Sequence, residues 1–278
     1  MQLAATSTAH PDSWFKRKGD TLNVQRPMKF FLVRGLTRES GHWGEEFIDS
    51  LEHSFPESEL ILMDLPGSGE FHKQKSPSTV GGIVRAMRKH NKEYLDGSRQ
   101  NNVIIATSLG AMVAMEWTLK HPNDFQAMVL VSASAGGICS FSERVKRHSR
   151  WKMFRVMLTR NLAKREALIL QLNTNDTARF QLNLEKWLRI QTEHPMSKRN
   201  ILRQSFAGMR YKLRGQFPDL PMLHVASFGD QIVSEKCVRK VHDKTGGDLV
   251  WHYWSGHGIP IDDPDWLVGV ISQWVYGI

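Results

Sequence analysis

Three residues carry the types and the order that nucleophilic chemistry needs. Ser108 stands in Val103-Ile104-Ile105-Ala106-Thr107-Ser108-Leu109-Gly110-Ala111, where a short apolar run passes directly into a helix-length segment through a small-x-Ser-x-Gly turn. A serine on so sharp a strand-to-helix bend needs small residues two before and two after it, and its hydroxyl stands exposed near the positive end of the following helix. The same serine could also serve as an ordinary helix N-cap. Downstream, Asp230 lies in Ser227-Phe228-Gly229-Asp230-Gln231 and His257 in Gly256-His257-Gly258, each just after an apolar run. An aspartate in such a loop is most often a turn residue or a cap, but this one is also ordered correctly to orient a histidine.

The chemistry requires each type. A serine hydroxyl is a weak nucleophile until a neutral imidazole accepts its proton, and a carboxylate fixes the imidazole tautomer and stabilises the imidazolium that forms. The oxyanion then needs preorganised N–H donors. Leu109, after the serine, supplies one. Leu36, in the loop Arg34-Gly35-Leu36-Thr37 after the first apolar run, is expected to supply the other, with Gly35 permitting close backbone approach.

These loops must be held by a sheet. Short apolar runs at 28–33, 60–63, 103–106, 128–131, 222–226 and 249–254 alternate with helix-length segments at 43–53, 80–94, 110–121, 236–244 and 266–276. Apolar runs without strict alternation suit strands buried on both faces, and strand then helix, repeated, predicts an α/β fold with a mostly parallel, doubly wound sheet. Chemistry in such sheets gathers at the carboxyl ends of the strands. Residues 14–17 and 22–25, around Lys18-Gly19-Asp20, are expected to form an edge hairpin, and 1–12 to be unstructured.

Residues 138–217 interrupt this alternation. They hold 18 Lys and Arg against 5 Asp and Glu, leaving 19 against 23 for the rest of a chain whose net charge is +9. The block reads as about four helices. Between 198 and 214, Leu202, Phe206, Met209 and Leu213 fall on one stripe, expected to pack, and Arg199, Arg203, Arg210 and Arg214 on the next, expected to be presented outward. The block is either a solvated face or an anion-docking face, since guanidinium groups suit phosphate and carboxylate.

Together these features resemble the α/β-hydrolase fold superfamily. The chain order Ser108, Asp230, His257 is that family's order, Arg34-Gly35 resembles its His-Gly oxyanion step, and Asp64-Leu65-Pro66-Gly67-Ser68-Gly69 is similar to its Asp-x-Pro-Gly-x-Gly turn. The resemblance covers 14–137 and 218–278, with domain limits of 13–137 and 218–278 for the core and 138–217 for a helical cap. By position it implies Ser108 as nucleophile, Asp230 as acid, His257 as base, and Leu36 and Leu109 as oxyanion donors. The departures are Ala106 for glycine and Arg34 for histidine, and Arg34 is a candidate anion ligand beside Arg199, Arg203 and Arg210.

The expected activity is hydrolysis of a carboxylic ester or thioester whose acyl group bears, or is carried by, an anion. The alternatives are a lysophospholipase-like lipase, a carbon-carbon bond hydrolase, and a non-catalytic binding protein that docks an acidic partner. Expected partners are a small acyl ester or thioester, with an acidic carrier protein or an anionic lipid surface at the basic block. Nucleic acid is the least expected, because no recognised binding module is present. No metal cluster or nucleotide loop is evident, so no cofactor is implied. Cys139 and Cys237 lack CxxC spacing and are expected as buried small residues without a disulfide framework, and the chain has no signal-peptide core, so a cytoplasmic location is expected.

Overall fold

The computed structural model describes residues 27–95 and 101–278, so the expected hairpin and the expected unstructured segment at 1–12 lie outside the described residues. Six strands, β1 (Lys29–Val33), β2 (Glu59–Met63), β3 (Asn102–Thr107), β4 (Ala127–Val131), β5 (Met222–Ser227) and β6 (Asp248–His252), form one sheet in the order β2-β1-β3-β4-β5-β6. Every neighbouring pair is parallel. The strand order reverses between β1 and β3, which opens a crevice at their carboxyl ends.

The apolar runs are continuous because both faces are buried. Side chains alternate between the faces with period two. Phe31 and Val33 of β1 and Ile104 and Ala106 of β3 enter one core, while Phe30, Leu32, Val103 and Ile105 enter the other. The first core is closed by α2 (Val80–His90), α3 (Leu109–Lys120) and α9 (Glu235–Thr245). The second is closed by α1 (Glu45–Ser54) and α11 (Pro264–Tyr276), which pack on each other. A four-residue α10 (Ile259–Asp262) precedes α11.

Where element ends differ from the sequence expectation, local hydrogen bonding explains them. The helix expected over 80–94 ends as α2 at His90, because Asn91 Nδ2 donates to the Met87 carbonyl at 2.8 Å and closes the last turn. The strand expected over 249–254 ends at His252, whose Nδ1 accepts the Trp254 and Ser255 amides at 3.3 and 3.0 Å and turns the backbone away. The helix expected from residue 43 begins at Glu45, after Gly44 at φ 83°.

Between β4 and β5 run α4 (Phe141–Arg144), α5 (Arg147–Leu158), α6 (Leu162–Asn173), α7 (Phe180–Glu193) and α8 (Lys198–Arg210). They share a small core of Val156, Ile169, Leu170, Leu172 and Trp187, extended by Ile261. The stripe expected to pack in α8 does not. Leu202, Phe206 and Met209 are about half exposed, and Leu213 is buried but lies beyond the helix. α8 instead docks through polar and small residues. Asn200 Nδ2 donates to the Gln74 carbonyl at 2.8 Å and its Oδ1 accepts the Ser76 amide at 3.0 Å, while Gln204 Nε2 donates to the Pro66 carbonyl at 3.3 Å. At Gly208 an added Cβ would stand 3.2 Å from Leu109 Cδ1, so a small residue brings the helix against the start of α3. These contacts turn the helix so that Leu202, Phe206 and Met209 line the cavity that also holds Ser108, instead of packing in a core.

The two cysteines also depart from expectation. Cys139 and Cys237, 98 residues apart, are buried and joined as a disulfide, with Cα atoms 5.5 Å apart. Their separation in sequence hides the pairing, which forms because the segment after β4 crosses the first turn of α9. Among the described residues no helix is long and apolar enough to cross a membrane.

Candidate active site

Ser108 follows β3 at φ 54° and ψ −113°, a left-handed conformation that a non-glycine residue adopts only when its surroundings impose it. It occupies the N-cap position of α3, but its side chain makes no capping hydrogen bond. The N-cap alternative is therefore not realised. The strain is enforced from both sides. Ser108 N donates to the Val131 carbonyl at 3.0 Å, and an added Cβ on Gly110 would lie 2.6 Å from the carbonyl oxygens of both Val33 and Arg34. Only glycine allows α3 to rest on the end of β1.

The loop after β1 lies against the serine. A Cβ on Gly35 would be 3.0 Å from Ser108 Cβ and 3.6 Å from its Oγ. The Leu36 and Leu109 amides take no part in the turn, loop and cap hydrogen bonds of the described residues. The loop is anchored by the turn after β2: Asp64 accepts the Ser40 amide at 2.7 Å and the Glu70 amide at 2.9 Å. Gly69, at φ 52°, lies where a Cβ would overlap the Asp64 carboxylate. Burial raises the Asp64 pKa, and those amide donors oppose the rise.

Asp230 and His257 meet. His257 Nδ1 donates to Asp230 Oδ2 at 2.8 Å, both side chains being buried, which leaves Nε2 as the accepting nitrogen. Asp230 is fixed in turn, since its Oδ1 accepts the Ile232 and Val233 amides at 2.7 and 3.0 Å. The His257 carbonyl accepts from Ser132 Oγ at 3.0 Å. Ser108, Leu109, Gly35, Leu36 and His257 line one cavity of about 460 Å³. A direct Ser108–His257 hydrogen bond is not among the contacts of the described residues; catalytic hydrogen bonds commonly tighten only around substrate.

The sequence reading missed the residues that hold the histidine loop. Asp262 accepts the Gly256 amide at 2.6 Å, the Asn175 amide at 3.0 Å and the hydroxyl of Thr174. The backbone carbonyl of Asn173, at the end of α6, accepts the Gly258 amide at 2.7 Å. The helical segment thus clamps the loop that carries His257. The only sequence signal was a polar Asn-Thr-Asn run after an apolar helix.

Of the candidate anion ligands, Arg34 lines the cavity, whereas Arg199, Arg203 and Arg210 do not. Arg34 is 4% exposed and stacks over Trp43 at 4.9 Å, and its pKa is pushed down to about 9 by burial and by Arg38. Arg38, also in the cavity wall, stacks over Trp187 at 4.4 Å and pairs with Glu166 at 2.7 Å. His42 is held neutral well below its usual range, first by burial and then by both arginines. Arg144 instead serves the fold, donating to the Gly208 and Met209 carbonyls at 2.6 and 3.1 Å and closing the C-terminus of α8. Among the described residues no cluster of metal-ligating side chains is present.

Comparison with known proteins agrees with this architecture. The sequence model of the alpha/beta hydrolase fold family matches residues 30–168. No curated protein is similar in sequence. Among solved structures, the esterase RhEst1 from Rhodococcus sp. ECU1013 is 19% identical, with 92% of each chain covered and a TM-score of 0.68. The RedJ thioesterase of the prodiginine pathway in Streptomyces coelicolor is 14% identical over 99% of this chain and 97% of its own, with a TM-score of 0.63. A hydrolase from Pseudomonas aeruginosa PA01 is 14% identical over 90% of each chain, with a TM-score of 0.71. At these identities the likeness is one of fold.

Proposed function

The chain belongs to the alpha/beta hydrolase fold family, and we propose that it is a serine hydrolase cleaving carboxylic esters or thioesters through an acyl-enzyme on Ser108. One observation carries the reading: a serine in a strained, left-handed turn, not used as a cap, shares a cavity with a histidine hydrogen-bonded to a buried aspartate. Strain of this kind persists where the surroundings hold a reactive group in place.

In the proposed reaction Ser108 Oγ attacks the carbonyl carbon while its proton passes to His257 Nε2. The carbonyl electron pair moves to oxygen, where the Leu36 and Leu109 amides receive it. The tetrahedral species collapses, the bond to the alcohol or thiol breaks, and the leaving group takes the proton from His257. Water repeats the sequence on the acyl-enzyme, giving its proton to His257 and releasing the acid as that proton returns to Ser108. Asp230 holds the imidazole in the Nδ1–H tautomer and offsets its transient charge.

Residues 138–217 act in this proposal as a helical cap over the cavity. It exposes Trp151, at 65%, with Phe154 and Leu158, interleaved with Arg147, Arg150, Lys152 and Arg155, and Arg150, Phe154 and the exposed Phe206 also line the cavity. Aromatic side chains among basic ones suit an anionic lipid surface better than a purely polar partner. Binding to phosphatidylserine vesicles but not to neutral ones supports this. Binding to an acidic carrier protein alone would replace it. The sequence alone leads to the expectation of a cytoplasmic location. The Cys139–Cys237 disulfide weighs against that, because such bonds are rare in a reducing compartment.

The direct test is Ser108→Ala. The native chain should hydrolyse p-nitrophenyl esters and take up a fluorophosphonate stoichiometrically, and the variant should lose labelling and at least about a thousandfold in kcat. Full ester turnover by the variant refutes the reading. Ligand binding by a native chain that never labels would mark a binding protein.

A further inference from the structure

Arg34 is a buried charge that the fold leaves without a counterion. Among the described residues its guanidinium has no hydrogen bond and no ion pair, and Nε and Nη1 are both buried without an acceptor. It rests on the face of Trp43. Arg38, 3% exposed, gives Nη2 to Glu166 and to Thr37 and leaves its own Nε and Nη1 unpaired. Of the nearby acids, Glu166 also faces Arg165 at 3.6 Å, and Glu39 pairs through Oε1 with His194 at 2.9 Å and keeps a buried Oε2 that bonds to neither arginine. The neighbouring His42 adds another donor, since its Nδ1 accepts the Glu39 amide and its buried Nε2 has no partner. Isolated buried charges are costly, and folds ordinarily pair them or replace them with neutral residues.

Both arginines line the cavity that holds Ser108 and His257. Arg34 directly precedes Gly35, whose backbone is packed on Ser108. The remaining wall is mostly apolar, with Met112, Met153, Val156, Met157, Ile169 and Leu172. Arg34 Nη2 likewise has no hydrogen bond among the described residues and completes a planar fork with either Nε or Nη1, and such a fork matches the two oxygens of a carboxylate. We propose that Arg34, with Arg38 beside it, binds a carboxylate carried by the substrate a few bonds from the carbonyl attacked by Ser108. The substrate class is then a monoester or monothioester of a short dicarboxylic acid whose hydrocarbon part lies on the apolar wall. The inference rests on the serine-hydrolase reading and moves substrate recognition from the outward arginines of α8 to the loop after β1.

The test compares mono-p-nitrophenyl glutarate with p-nitrophenyl pentanoate, which match in chain length and differ in the terminal carboxylate. The native chain should prefer the glutarate in kcat/KM by tenfold or more. In Arg34→Met that ratio should fall by at least about thirtyfold, the loss typical of truncating one member of a buried charge pair. Arg34→Lys, which keeps the charge and loses the fork, should also lower the ratio and serves if the methionine variant does not fold. A native ratio of one or less, or a ratio unchanged in both variants, overturns the inference. A stronger preference for the matched 4-phosphonobutanoyl ester would overturn the carboxylate assignment in favour of phosphate. Fluorophosphonate labelling separates the two levels: labelling at Ser108 without the carboxylate preference sinks only this inference. If Ser108 does not label, the hydrolase reading fails. Thermal stabilisation by sodium glutarate, present in the native chain and lost in Arg34→Met, then decides the anion site alone; no stabilisation overturns it.

Discussion

Replacing Gly110 with alanine puts the seating of α3 on β1 to a quantitative test, because two effects of opposite sign meet there. Alanine is favoured over glycine inside a helix by about 1 kcal/mol, so an unobstructed position would gain stability. Here the new Cβ would stand 2.6 Å from the Val33 and Arg34 carbonyl oxygens and 3.0 Å from Val33 Cγ1. Those oxygens belong to the end of a strand flanked by β2 and β3, so they cannot swing away as a side-chain tip would. Overpacking of this kind costs about 1–3 kcal/mol. With two backbone contacts at once the upper end applies, and the net change is a loss of about 2 kcal/mol. At about 2–4 °C per kcal/mol, Tm should fall by about 4–8 °C.

Activity should fall with it. Relief of the clash moves α3 outward by some tenths of an ångström, carrying Ser108 and the Leu109 amide away from the Gly35 loop. A misplacement of about 1 Å costs about a hundredfold, so half of that predicts roughly a tenfold slower fluorophosphonate reaction. Gly269→Ala is the matched comparison: in α11 an added Cβ meets nothing within 4 Å, and alanine should raise stability by about 0.5–1 kcal/mol. Thermal denaturation and labelling rates of both variants make the measurement. A Gly110→Ala protein that melts at or above the native temperature would refute the close approach and, with it, the geometry assigned to the oxyanion loop.

Three further outcomes follow from the same contacts. Asp230→Asn should keep the fold but slow turnover by about three to four orders of magnitude, because an amide no longer favours the required imidazole tautomer; near-native kcat would remove Asp230 from the mechanism. Thiol titration of the denatured chain should find no free thiol before reduction and two after it, and reduction should cost about 2–5 kcal/mol, since the Cys139–Cys237 bond closes a loop with a sequence separation of 98. His224, buried with Nε2 near the Gly246 carbonyl, has its pKa pushed down from 6.5 to about 4, mainly by burial. Below pH 6.5 the unfolded chain takes up a proton that the folded chain refuses, so stability falls as pH drops from 6.5 to 4, by up to about 3 kcal/mol for this group. Urea titrations across that range should show a shallower pH slope for His224→Asn, and an unchanged slope would mean that His224 is not the buried neutral group described.

What the sequence made legible followed a local physical rule. The sheet was readable because strands buried on both faces are continuous apolar runs, and Phe30 to Val33 or Val103 to Ala106 admit few other readings. Ser108, Asp230 and His257 stand out as candidates because each sits at the end of such a run, in a turn with small neighbours. The helical segment was not readable, because helical periodicity reports which residues share a face and not which face meets the protein. In α8, Leu202, Phe206 and Met209 share a face while Leu213 falls beyond the helix, and Asn200, Gln204 and Gly208 win the contact by satisfying carbonyls of the loop after β2 and fitting against Leu109. Long-range pairings were equally hidden: Arg38 meets Glu166 across 128 residues, and Asp230 is only one of several acids after a strand until His257 reaches it.

Arg34 joins the two cases. Its type and place were visible in the sequence, as a basic residue where the resembling family carries histidine, but sequence gives no account of partners. The fold supplies Arg38 with a carboxylate and leaves Arg34 with none, 4% exposed and in the wall of the cavity beside Ser108. Removing an unpaired buried cation should stabilise a protein whose function did not need it. Arg34→Met is therefore expected to melt above the native chain while losing its preference for a carboxylated ester, and stability and specificity should move in opposite directions. A variant that loses both together would show that Arg34 holds the loop after β1 in place.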